Sequence, residues 1–198
     1  MPEIRIQPGF IVLMAVFVLV CEDGLLLCGL AALLLHEAGH VIALYITGGG
    51  VRRVSFSLFG GLIEPRYPLR LSPAGETAVC LAGPGANLLA APLFALAGHR
   101  TEWGYVLAGL NVAAGVFNLL PVSGLDGGRA LGFALAGWPR AEGLCARLTL
   151  YFGLAAFVPG LLLLLSAYRN PTLLVFSLWA TFRALRGNSS CESGQKRV

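Results

Sequence analysis

Charge is scarce in this chain: Asp, Glu, Lys and Arg make up 12% of its 198 residues, where a soluble domain carries roughly a quarter. With 57% of residues hydrophobic and a mean hydropathy of +0.77, too little polar surface exists to coat a globule in water, and the composition places the chain in a bilayer. Basic residues are not organised either. The net charge of +4 and pI near 9.0 come without any basic stripe interleaved with aromatics, so nucleic acid is excluded as a partner and the charge reads as membrane topology.

Paired cysteines are missing as well. Cys21, Cys28, Cys80, Cys145 and Cys191 form no CxxC pair, which leaves neither a thiolate zinc site nor a disulfide framework, and they read as small apolar packers. The stretch from Phe10 to Cys21 has no basic segment ahead of it beyond Arg5 and no small-x-small cleavage site, so it is expected to be a retained, short first span rather than a signal peptide. No internal repeat or low-complexity tract interrupts the chain.

Long apolar runs dominate what remains. Six segments are predicted as spans, at about 8–21, 24–47, 74–97, 103–120, 144–166 and 172–185, each an uninterrupted run rather than a half-polar stripe. If the N-terminus is cytoplasmic, 12 of the 14 basic residues fall on the cytoplasmic side and only Arg100 and Arg169 outside, an asymmetry that predicts cytoplasmic termini. Two connecting segments carry patterns of their own. Val54, Phe56 and Leu58 alternate with Arg53, Ser55 and Ser57 before Gly60-Gly61, the pattern of a short β-hairpin at the membrane boundary. Residues 118–132 (NLLPVSGLDGGRALG) place Pro121 and several glycines at the foot of an apolar run. That predicts a broken helix or re-entrant loop, tolerated at depth only where it lines a cavity. The expected fold class is therefore an α-helical polytopic membrane protein, a single domain of about six transmembrane helices with a membrane-associated hairpin and a re-entrant loop.

The chemistry is concentrated in His36-Glu37-Ala38-Gly39-His40. On a helix, residues four apart share a face, so both imidazoles can reach one metal ion while Glu37, one step round, faces the water that the metal activates. The motif starts about 12 residues after Gly24, roughly 18 Å along the span at 1.5 Å per residue, which puts it deep in the bilayer. A catalytic zinc usually has three protein ligands and an open position. Asp126, Glu64 and Glu76 are the candidates for the third, with Asp126 preferred because Pro121, Gly124, Gly127 and Gly128 let the chain fold back. Paired intramembrane histidines beside a glutamate could otherwise serve as a proton relay or a structural polar cluster.

HEAGH, with AGPGAN at 82–87 and NLLPVSGLDGG at 118–128, resembles the site-2 protease family of intramembrane zinc metalloproteases. FGGLIE at 59–64 and the six spans are most similar to its stage IV sporulation protein FB branch. The resemblance implies that His36 and His40 bind one Zn2+ with Asp126 as third ligand, that Glu37 is the catalytic base, and that Asn87 and Asn118 bind substrate backbone or line the site. It also implies a bacterial multi-pass protein that cleaves a membrane-bound substrate in or near its transmembrane segment. That substrate would be a pro-sigma factor or another membrane-tethered regulator in sporulation or stress signalling, under a membrane regulatory inhibitor, with the termini on the mother-cell side if sporulation-related. Neither the nucleotide-sensing CBS domain of sporulation members nor the PDZ insertion of other branches is expected here.

A transmembrane helix hides its peptide bonds, so substrate must unwind before attack. The strand edge near Phe56 and Leu58 is predicted to hold the unwound segment by strand addition, with Asn87 as an amide clamp. A membrane metal transporter is the competing reading, but it has no use for a base beside its ligands. A non-catalytic membrane-binding relative would be expected to have a broken HExxH, and here the motif is intact.

Overall fold

The apolar run that carries the histidines folds as a 24-residue helix, α1 (Asp23–Ile46), in a computed structural model that describes residues 3–12, 15, 23–57, 60–65, 71–98, 101–166 and 172–185. These residues fall into two compact units, Met1–Phe117 and Asn118–Val198.

In the first unit, α1 ends where Gly48 takes a φ of +82° and the Gly49 N–H closes on the Leu44 carbonyl at 2.8 Å, a left-handed stop that suits glycine. The chain then enters β2 (Val51–Ser57) and β3 (Gly60–Pro65), the expected hairpin. Its strands pair antiparallel with Val54 opposite Ile63 and Ser55 opposite Leu62; Leu58 and Phe59 lie outside the described residues.

A third strand, β1 (Glu3–Ile6), was not expected. It pairs parallel with β2, Glu3 opposite Arg53 through Ile6 opposite Phe56, and it is tied down by Glu3, whose carboxylate accepts from the Arg53 Nη2 at 2.9 Å and the Arg5 Nε at 3.0 Å. The sheet order is β1-β2-β3. This corrects the expectation that β2 offers a free edge at Phe56: from Arg53 to Phe56 the strand is flanked on both sides, and among the described residues the outer edge on the hairpin side belongs to β3.

Ser72 opens α2 (Pro73–Ala97): its hydroxyl accepts the Gly75 N–H at 3.2 Å, with Pro73 at the first helical position and Glu76 in the first turn, three features that stabilise a helix start. Its burial pattern inverts that of a soluble helix. Gly83, Asn87 and Ala91 are buried, whereas Leu89 and Leu93 are 77% and 66% exposed, the arrangement favoured where the surrounding solvent is hydrocarbon. Helix α3 (Glu102–Asn118) follows, with Gly104, Ala108, Asn111 and Gly115 buried along one face.

The three helices approach closely through small residues. A methyl at Gly39 of α1 would lie 2.5 Å from the Ala82 carbonyl oxygen of α2, and one at Gly115 of α3 would lie 2.7 Å from Leu88 Cγ. The glycine of HEAGH thus seats against the start of AGPGAN, which brings the two motifs together.

The second unit holds α4 (Asp126–Ala134), α5 (Ala141–Leu165) and α6 (Thr172–Leu185). Between Asn118 and Asp126 the helical path breaks. This loop is pinned to α5 by Thr149, whose buried hydroxyl accepts the Ser123 N–H at 2.9 Å and donates to the Cys145 carbonyl at 2.8 Å. Glycine is required at 127 and 128, since side chains there would collide with the Leu119 and Val122 carbonyls.

Gly24–Ile46, Pro73–Ala97 and Gly143–Leu165 are long and apolar enough to cross a membrane. Helices α3 and α6 have 17 and 14 residues, at or below the lower limit of about 17 for a span. Most of the expected first span, 8–21, lies outside the described residues.

Candidate metal centre

Four residues on one helix put two imidazoles on one face, and the structure aims them at each other: His36 Nε2 and His40 Nε2 are 3.2 Å apart. Their opposite ring nitrogens are each held by a partner. His40 Nδ1 lies 2.8 Å from the Val79 carbonyl, which can only accept, so the ring carries its proton on Nδ1. His36 Nδ1 lies 2.7 Å from Asn87 Oδ1, so in the arrangement shown the same tautomer holds there. With both protons on Nδ1, both Nε2 atoms present lone pairs to one point. Two lone pairs at that distance repel unless a cation lies between them.

The spacing suits zinc. Two nitrogens at 2.0–2.1 Å from a tetrahedral ion stand about 3.3 Å apart, close to the 3.2 Å observed. Histidine ligands usually donate their remote N–H to a carboxylate, a backbone carbonyl or water, which orients the ring and raises its basicity. The Val79 carbonyl is such a partner for His40, and the Asn87 carboxamide oxygen takes the corresponding place at His36.

The remaining residues of the pair's surroundings are small for a reason. A side chain at Gly83 would run into His40 Nε2, and Pro84 next to it has no N–H to donate one turn back to Cys80, which loosens α2 at the point where it faces the histidines. Glu37 follows His36, about 100° round the helix axis, and is half-buried.

Of the roles expected for Asn87, the structure bears on the amide clamp. Asn87 is fully buried, and its amide donates to the Ala32 carbonyl at 3.0 Å and to Asn111 Oδ1 at 2.7 Å. Both N–H groups are engaged inside the protein, so the amide clamp expected for substrate lacks free donors, and the contact Asn87 makes is with His36. Asn111 is the residue that sequence reading missed. It is also fully buried and donates to the Leu107 carbonyl at 2.8 Å. A lone Asn in an apolar run was the available signal, because polar side chains at membrane depth are costly and seldom idle.

The second unit contains the other two expected residues. Asp126 is the first residue of α4 and is buried, with Arg129 Nη1 3.7 Å from its Oδ1; an anion is favoured at a helix N-terminus. Asn118 closes α3 and is half-buried. Of the alternatives for a third ligand, Glu76 occupies the first turn of α2, where an acid has an ordinary helix-stabilising role, and Glu64 lies on β3.

No family model matches the chain. The candidate zinc metalloprotease Rip3 of Mycobacterium tuberculosis is 31% identical over 188 residues, 84% of this chain and 46% of that protein. Stage IV sporulation protein FB of Bacillus subtilis is 28% identical over 136 residues, 65% of this chain and 46% of that protein. The chain therefore spans about half the length of the curated relatives it matches. Among solved structures, the site-2 protease from Methanocaldococcus jannaschii superposes with a TM-score of 0.65 at 23% identity, over 93% of this chain and 89% of that one, a likeness of fold. The metal Rip3 is named for is the one the spacing of the histidine pair fits. With its paired histidines on one apolar helix and these relatives in sequence and fold, the chain belongs to the site-2 protease family of zinc metalloproteases.

Proposed function

We propose that the chain is an intramembrane endopeptidase that hydrolyses a peptide bond in or near a transmembrane segment of a membrane-tethered protein. The observation that carries this reading is the convergence of His36 and His40 Nε2 at 3.2 Å, with Glu37 next to them on the same helix. Zinc, when bound, supplies a Lewis acid for the scissile carbonyl and makes water a nucleophile near neutral pH. Glu37 takes the proton from the attacking water and returns it to the leaving nitrogen. Asp126 completes the ligand set. It is supported by its place at the opening of α4 and by the LDG match to the family.

Asn118 contacts the unwound substrate backbone. The hairpin, including Phe56 and Leu58, receives that segment, and main-chain pairing uses the outer edge of β3 because β2 is already flanked. All 198 residues act as one membrane domain of six spans, with 118–132 re-entrant and the termini cytoplasmic, as the distribution of basic residues favours. The substrate is a membrane-tethered regulator such as a pro-sigma factor, in sporulation or stress signalling, and a membrane inhibitor controls access.

Purified protein incubated with single-span model substrates tests this. A metal chelator should stop cleavage and added zinc should restore it. Zinc flux across proteoliposomes with no proteolysis of any substrate would instead support a transporter.

A further inference from the structure

We propose that Asn111 is a positioning residue of the metal centre: it fixes which way the Asn87 amide faces, and through it which nitrogen of His36 carries the lone pair a metal would take. The inference rests on the metal site proposed above. It starts from a symmetry problem. A carboxamide fits its cavity equally well with oxygen and nitrogen exchanged, so shape alone cannot orient Asn87. Only its partners can.

Those partners set a direction. The Ala32 and Leu107 carbonyls can accept and never donate. Leu107 holds the Asn111 Nδ2 at 2.8 Å, which turns Asn111 Oδ1 toward Asn87. Asn87 Nδ2 then has two acceptors, Asn111 Oδ1 at 2.7 Å and Ala32 O at 3.0 Å, and Asn87 Oδ1 is left facing His36 Nδ1 at 2.7 Å. Reversing Asn87 would set its oxygen against two acceptors and offer His36 Nδ1 an N–H. The imidazole proton would be driven to Nε2, where it occupies the lone pair the metal needs. Ala32 alone supplies one of the two opposing contacts; Asn111 supplies the other, from α3.

His40 needs no such device, because its Nδ1 partner is itself a backbone carbonyl. The two ligands are therefore unequal: one is fixed by the main chain, the other by a relay of two carboxamides across three helices. Both amides are fully buried, so water cannot take over either role.

Asn111→Leu, which removes the acceptor at similar volume, and Asn111→Asp, which keeps it, separate this role from packing. Zinc affinity by chelator competition is expected to fall about tenfold or more in Asn111→Leu, the scale of lost outer-sphere contacts, and to recover in Asn111→Asp. The visible band of cobalt-substituted protein should shift in the Leu variant only. In zinc-free protein with 15N-labelled histidine, the parent should show His36 as the Nδ1–H tautomer, and Asn111→Leu should show a mixture. That parent spectrum serves as the test should the Leu variant fail to fold; His36 found there with its proton on Nε2 would overturn the inference. So would parent-like zinc affinity and cobalt spectrum in a folded Asn111→Leu protein. A parent that binds no zinc would instead remove the metal site itself.

Discussion

Gly83 of α2 lies directly against the His40 ring: a side chain added at this glycine would overlap His40 Nε2. The ring cannot swing away freely, because its Nδ1 is held by the Val79 carbonyl at 2.8 Å. Gly83→Ala should therefore displace His40, a proposed ligand, without altering any donor atom. Zinc affinity should fall by about 10-fold to 100-fold, in the range of disturbed outer-sphere contacts, with overpacking adding about 1–3 kcal/mol of destabilisation. Isothermal or chelator titration of the folded variant checks it, and unchanged affinity would mean that the ring has room the geometry denies.

Thr149 anchors the break before α4. Thr149→Val keeps the shape and removes the acceptor of the buried Ser123 N–H, so about 1–3 kcal/mol should be lost. Thermal unfolding in detergent, together with protease sensitivity near residues 119–125, measures it. Equal stability of the two proteins would show that the Ser123 N–H finds another acceptor.

Acid should loosen β1. Hydrogen bonds from Arg53, then from Arg5, hold the Glu3 carboxyl below its ordinary value. A carboxyl lowered on folding contributes fully above its unfolded value, and that contribution is lost as the pH falls through the lowered folded value. The group is at the surface, so the effect is small and weakens with salt. Amide exchange at Ile4 to Ile6 should speed up on acidification relative to Glu3→Gln. Identical pH profiles in the two proteins would remove Glu3 as the clasp.

If substrate adds to the sheet on the hairpin side, it adds at β3. Antiparallel strands alternate N–H groups inward and outward, so of Leu62 and Ile63 one directs its N–H away from β2. Proline there should slow cleavage several-fold at unchanged zinc content, since it removes an outward donor, and alanine should not. Matching rates for the proline and alanine variants at both positions would rule out strand addition at this edge.

How much was legible in advance depended on how local the determinants are. The histidine pair and Glu37 follow from residues within four positions of each other, and helix periodicity suffices to read them. The hairpin was legible for the same reason. Strand β1 was not, because Glu3 meets Arg53 across 50 residues and nothing near either residue announces the partner. Asn87 was visible but its use was not: sequence cannot say that Ala32 and Asn111 take both of its amide protons. Asn111 sits in no recognisable motif, and only the crossing of α2 and α3 gives it a role.

Glu37 is the proposed base beside a histidine-held zinc. Glu37→Gln removes the carboxylate and leaves both Nε2 donors in place, so the variant should retain the zinc content of the parent and its thermal stability while cleavage of a reconstituted single-span substrate falls by several orders of magnitude, as expected when a base acts directly in the transition state. Cleavage at the parent's rate by zinc-loaded Glu37→Gln protein would contradict the account.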